Sequence, residues 1–112
     1  MNGCGLLEIH QSDIQALIKL EELHLARNRI SVLEQNLFTF NPKITEIDLS
    51  DNKIIHVESS VFMSLKILKK LNFKDNPCYS SEKAYDNRFE VLNLALSIQL
   101  NCFDKEIYKK EV

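Results

Sequence analysis

The sequence is poor in the residues that several ligand chemistries require. It has no tryptophan, two prolines and two glycines, and both glycines, Gly3 and Gly5, lie in the first five residues. From position 6 onwards there is no glycine-rich turn to bring a backbone against a phosphate, which excludes a P-loop and a dinucleotide fingerprint. No stretch approaches the ~18 consecutive apolar residues of a membrane span. Residues 1–10 also lack the basic start and apolar run of a signal peptide, which leaves the compartment open. Charge of one sign is missing too: 14 basic against 16 acidic residues give a net charge of −2, with lysines dispersed among acids. Such a chain has no general attraction for polyphosphate, so nucleic acid is not an expected partner. The three cysteines show no CxxC spacing, so no structural metal site and no cofactor are expected. None of the ten asparagines begins an Asn-x-Ser/Thr acceptor.

What is present is enough for one small domain. The 112 residues include 38 Leu, Ile, Val and Phe, a share too high for a disordered chain. The order of these residues repeats. Leu20-Glu21-Glu22-Leu23-His24-Leu25-Ala26-Arg27-Asn28-Arg29-Ile30 matches Ile44-Thr45-Glu46-Ile47-Asp48-Leu49-Ser50-Asp51-Asn52-Lys53-Ile54, 24 residues on. A further 24 residues bring Leu68-Lys69-Lys70-Leu71-Asn72-Phe73-Lys74-Asp75-Asn76. Leu33 then matches Val57 and Phe38 matches Phe62, while Leu6, Ile9, Ile14 and Leu17 take the same positions one period earlier. Cys4 stands where the asparagine would be.

Apolar-polar alternation in Leu23-His24-Leu25 and its equivalents predicts a short strand with one buried face. One such strand cannot fold alone, but repeats stacked side by side pair their strands in parallel and join their anchors into buried rows. Asn28, Asn52 and Asn76 are expected to turn inward as a ladder, their amides bonding backbone groups that a tight coil leaves unpaired. Residues 29–43 and 53–67 are the return arcs, irregular or briefly helical, with Phe38 and Phe62 inside. Asn41 replaces the Leu17 and Leu65 anchor, and Phe40 is expected to fill that space. His56 falls on the second of these arcs and His10 on the equivalent arc of the partial first repeat, both away from His24.

The pattern resembles the leucine-rich repeat, LxxLxLxxN/CxL, over residues 1 to about 78. Its spacing and its phenylalanines are similar to the class found mostly in extracellular proteins. The resemblance implies an α/β fold, a right-handed solenoid with short parallel strands on a concave face and a C-terminal capping helix. It divides the chain into repeats over 1–77 (a partial repeat 1–19, repeats 20–43 and 44–67, a last strand 68–77) and a cap over 78–112.

The two ends read differently. Met1 maps inside a strand, so Leu6, Ile9, Ile14 and Leu17 are expected to present an open core face; this suggests the C-terminal part of a longer protein, or self-association through the uncapped end. After Asn76-Pro77 a helix is expected over about 87–99. Asn87 and Glu90 are spaced as a capping box. Phe89, Leu92, Ala95 and Leu96 form its apolar stripe, widened by Val91, Leu94 and Ile98. Cys78 and Cys102 flank it. The cap of secreted leucine-rich-repeat proteins pairs two such cysteines, and a bridge here would close a loop worth about 3.5 kcal/mol on the chain-entropy model. Phe103-Asp104-Lys105-Glu106-Ile107 is also similar to the helical cap of intracellular members, in which both thiols would be reduced.

The outward strand positions line up as Glu22, Glu46, Lys70; then His24, Asp48, Asn72; then Ala26, Ser50, Lys74; and at the strand ends Arg27, Asp51, Asp75. Glu22, His24, Glu46, Asp48, Ser50, Lys70, Asn72 and Lys74 form the expected ligand-binding face, grading from acidic to basic. His24, Asp48 and Ser50 do not make a catalytic set, because an open sheet without a glycine turn offers no oxyanion pocket. The expected function is therefore non-enzymatic recognition of a protein ligand or partner subunit. By the resemblance it belongs to a secreted or ectodomain protein of innate-immune or receptor type; a cytoplasmic scaffold is the alternative.

Overall fold

A computed structural model describes residues 2–58, 60–80, 85–86 and 88–102. The chain winds through successive coils of 24 residues. Each coil contributes one three-residue strand, β1 (Glu22–His24), β3 (Glu46–Asp48) and β5 (Lys70–Asn72), and these pair in parallel. Their register is the sequence period: Leu23 lies beside Ile47 and Ile47 beside Leu71. The pairing continues past the strands, where Leu25 N–H donates to Asp48 O and Leu49 N–H to Asn72 O, both at 2.8 Å.

Burial explains why three-residue strands suffice. Leu23, Ile47 and Leu71 are buried, as are Leu25, Leu49 and Phe73 two positions on. Ile30 with Ile54, Leu33 with Val57 and Leu37 with Val61 extend the rows through the arcs. Each such side chain contributes about 1.5 to 3 kcal/mol by leaving water. Phe38 and Phe62 stack inside with ring centroids 6.1 Å apart, a favourable aromatic contact within the core.

Each strand leaves its row through a left-handed residue, Arg27, Asp51 and Asp75, at φ of 56°, 54° and 60°. Non-glycine residues enter this region at a cost of about 1 to 2 kcal/mol. The turn delivers the next side chain inward. Asn52 Nδ2 donates to Leu49 O in its own coil at 3.0 Å and to Leu25 O of the preceding one at 2.9 Å, while its Oδ1 accepts from Ile30 N–H at 3.2 Å. Asn76 repeats the set on Leu49 O and Ile54 N–H, and Asn28 accepts from Leu6 N–H. Cys4 is drawn in by its backbone alone: its N–H reaches Asn28 Oδ1 at 3.0 Å, but its thiol is exposed, because no described coil packs on that side.

The arcs hold more order than their sequence suggests. β2 (Val32–Leu33) and β4 (His56–Val57) make a second, two-stranded parallel sheet, and α1 (Gln11–Ile14) forms a single turn in the first arc. Asn41, not Phe40, fills the anchor position: Asn41 is fully buried and its Nδ2 donates to Ile14 O at 2.8 Å and Leu17 O at 3.0 Å, whereas Phe40 is exposed. The amide nitrogen thus joins two arcs, while the buried Oδ1 has no hydrogen-bond partner among the described residues. The first coil also differs from expectation. Ile9 and Ile14 are buried against the second coil, and its exposed apolar residues are Leu7, Leu17 and Ile18.

At the far end Pro77 has no N–H to donate where Arg29 and Lys53 each bond the preceding arc, and Cys78 N–H takes over that bond to Ile54 O at 3.2 Å. Ser80 Oγ then accepts from Asp75 N–H, the donor that a further coil would satisfy. β6 (Tyr85–Asp86) adds antiparallel to β5 and closes that edge of the sheet. α2 (Arg88–Cys102) packs over β4, β5 and β6. It runs past the expected Gln99 and buries Val91, Leu94, Ala95, Ile98 and Cys102, while Phe89 and Leu96 of the expected stripe are exposed. Cys102 on the buried side forms a disulfide with Cys78. Asn87 and residues 103–107 lie outside the described residues.

His10 clips the first two arcs together. Its Nδ1 lies 2.6 Å from Glu34 Oε1 and its Nε2 3.0 Å from Glu8 Oε2. Hydrogen bonds to Glu8 and then to Glu34, with the Glu34 charge, raise its pKa from 6.5 to about 9. A raised folded-state value means the imidazolium supports folding in full below pH 6.5 and loses that support as pH climbs through about 9. Urea midpoints of the wild type and of His10→Gln should therefore converge across that window; midpoints that diverge with rising pH would contradict the assignment.

Candidate functional site

The outer face of β1, β3 and β5 is set by the same register that fills the core. Alternation sends Glu22 and His24 outward around Leu23, Glu46 and Asp48 around Ile47, and Lys70 and Asn72 around Leu71. Backbone pairing puts Glu22 beside Glu46 and Glu46 beside Lys70, then His24 beside Asp48 and Asp48 beside Asn72.

The side chains sort into two groups. In the first, His24 Nε2 lies 3.2 Å from Glu22 Oε1 and 3.5 Å from Glu46 Oε2, and Lys70 Nζ lies 3.7 Å from Glu46 Oε1. Such exposed pairs contribute at most about 1 kcal/mol each, so they shape the surface potential more than the stability. In the second, Asp48 Oδ1 accepts from Ser50 N–H at 3.0 Å and from Ser50 Oγ at 2.7 Å, and Asn72 Oδ1 accepts from Lys74 N–H at 3.1 Å. Asp48 and Asn72 thus brace the strand ends, a role that the Asp-x-Ser spacing could have signalled.

This partition separates residues that adjacency in the sequence pattern groups together. His24 turns to the glutamates and Ser50 to Asp48, so the Ser50 hydroxyl does not meet the imidazole. The third row loses Ala26, which is buried because residues 2 and 3 lie across it: Asn2 Oδ1 accepts from Ala26 N–H at 2.7 Å and Gly3 N–H donates to Ala26 O at 2.9 Å. Ser50 is half-buried and Lys74 exposed, while Arg27, Asp51 and Asp75 are exposed at the strand ends.

Between β3 and β5 run two open grooves of about 250 and 200 Å³, the first bordered by Thr45, Glu46, Lys69 and Lys70, the second by Glu46, Asp48, Lys70 and Asn72. They fall short of the roughly 300 to 1,000 Å³ that enclose a small-molecule ligand. Among the described residues no helix is long and apolar enough to cross a membrane.

The stacked parallel strands, the inward asparagines and the 24-residue register define a repeat protein. The family model for the leucine rich repeat matches residues 5–78, and the chain belongs to that family. Repeats of this family generally mediate protein–protein interaction. No curated protein matches the chain.

Proposed function

We propose that the chain is a non-enzymatic recognition module, a section of a right-handed leucine-rich-repeat solenoid whose strand face is concave and binds a macromolecular ligand. The observation that carries this reading is the fixed, polarised strand face. Glu22 and Glu46 stand at one side of it and Lys70 at the other, in rows held by backbone pairing. Small open grooves suit a protein surface better than an enclosed small molecule. Glu22, His24, Glu46 and Asp48 would meet basic groups of the partner, and Lys70 and Lys74 acidic ones; Ser50 and Asn72 would supply hydrogen bonds.

The repeats would occupy residues 1–77 and the cap residues 78–112. The Cys78–Cys102 bridge across the cap supports an oxidising compartment, hence a secreted or ectodomain protein of receptor or innate-immune type. An intracellular scaffold of the same fold would hold both thiols reduced.

Two readouts on one preparation test the reading. Alkylation before and after reduction, followed by intact mass, should show one reactive thiol, Cys4, and then three; three at the outset would favour the cytoplasmic alternative. The immobilised chain should capture a protein from conditioned medium, and Lys70→Glu with Lys74→Glu should weaken capture at least about tenfold. Lys66→Glu on a return arc should leave it unchanged. The reverse pattern would move the binding surface to the arcs.

A further inference from the structure

Hydrogen bonding does not fully account for the arrangement around His24. An imidazole nitrogen carries at most one hydrogen, directed along one line. Yet Nε2 faces two carboxylate oxygens, Glu22 Oε1 at 3.2 Å and Glu46 Oε2 at 3.5 Å. The two glutamates are also direct neighbours across β1 and β3, a like-charge contact that a cation between them would relieve. Lys70 meets the other oxygen of Glu46, Oε1, and leaves Oε2 turned toward the ring.

The three atoms lie within 4.8 Å of one another. Tetrahedral zinc, with bonds of about 2.0 to 2.1 Å, separates its ligand atoms by about 3.3 to 3.4 Å. The two separations from Nε2 bracket that value. We propose that Glu22, His24 and Glu46 form a binding site for a divalent cation of the zinc class.

The donor set selects the ion. One imidazole nitrogen with two carboxylate oxygens suits Zn²⁺ and its first-row neighbours, whereas Ca²⁺ takes six to eight oxygens and Mg²⁺ an octahedron of oxygens. Glu22 and His24 project from the same face of one strand, and Glu46 is brought alongside by the ladder, so the backbone preorganises all three positions. The ring is 40% exposed, which gives an ion a path in and leaves the fourth coordination position to water. The site lies on the proposed recognition face and shares Glu22, His24 and Glu46 with it, but ion binding needs no protein partner and is tested without one. A search for histidine and cysteine clusters along the sequence overlooks it, because residues 22 and 24 meet residue 46 only through the register.

The second histidine cluster supplies a control. His10 engages Glu34 and Glu8 through opposite ring nitrogens, so those carboxylates cannot converge with one nitrogen on a single ion.

The test uses the disulfide-bonded chain with Cys4→Ser, which removes the exposed thiol as a competing ligand. Zinc chloride is titrated at pH 7.5 by calorimetry, with cobalt(II) absorption as a second readout. One ion should bind per chain, His24→Ala and Glu46→Gln should each weaken it about tenfold or more, and His10→Ala should leave it unchanged. Glu22→Gln, at an exposed position, gives a third ligand variant, and circular dichroism verifies that each variant is folded. No binding, or binding that survives His24→Ala, or binding lost in His10→Ala, overturns the proposal.

Discussion

A tight coil leaves backbone amides and carbonyls with no partner in its own turn, and burying them unpaired costs about 1 to 3 kcal/mol each. The rest of this structure depends on how three asparagine side chains meet that constraint. Asn28, Asn52 and Asn76 each carry a donor and an acceptor on one short stem, so one residue can serve its own coil and the one before it. With that satisfied, Leu, Ile and Phe anchors can close over the coil interior without stranding the backbone groups that the asparagines serve. Asn41 applies half of the device on the return side: its Nδ2 joins two arcs through Ile14 O and Leu17 O, while its buried Oδ1 has no hydrogen-bond partner among the described residues.

The ladder also dictates what happens at the C-terminal end. A repeat that stops must still satisfy the donors aimed at the next coil. Ser80 Oγ answers Asp75, Cys78 N–H replaces the one that Pro77 lacks, and β6 pairs with the exposed edge of β5. α2 then covers the final apolar row and the disulfide ties its end to the start of the cap. On the outer face the same register sets charges side by side, so surface chemistry is a by-product of core periodicity.

Much of this was legible in the sequence because a single 24-residue period carries strands, anchors and asparagines together. A residue's neighbour across the sheet, such as Glu46 for Glu22, follows from adding one period. Features outside the period were not legible. β6 depends on a chain reversal after Pro77 with no repeat counterpart, and the β2 and β4 pairing lies in arcs whose alternation is two residues long. Ala26 fits an outward position and Asn2 lies one period before it, but the period does not specify that the Asn2 side chain turns onto the Ala26 N–H and covers it. The apolar residues of α2 surround the helix, so periodicity could not choose between the Phe89 and Leu96 side and the Val91, Leu94 and Ile98 side; contact with β4 and β5 decides it. In the candidate site, rows were readable but rotamers were not. His24 turning to the glutamates and Asp48 turning to Ser50 follow from local hydrogen bonds.

The central claim is that side-chain amides, more than strand pairing alone, bind one coil to the next. Asn52 tests it most directly, since it bonds both its own coil and the preceding one and is 2% exposed. Urea unfolding of Asn52→Ala, compared with Asn36→Ala on the exposed part of an arc, measures the difference. The account predicts a loss of about 2 to 4 kcal/mol for Asn52→Ala, from buried partners left unpaired, and under about 0.5 kcal/mol for Asn36→Ala. Equal, small effects from the two substitutions would contradict it.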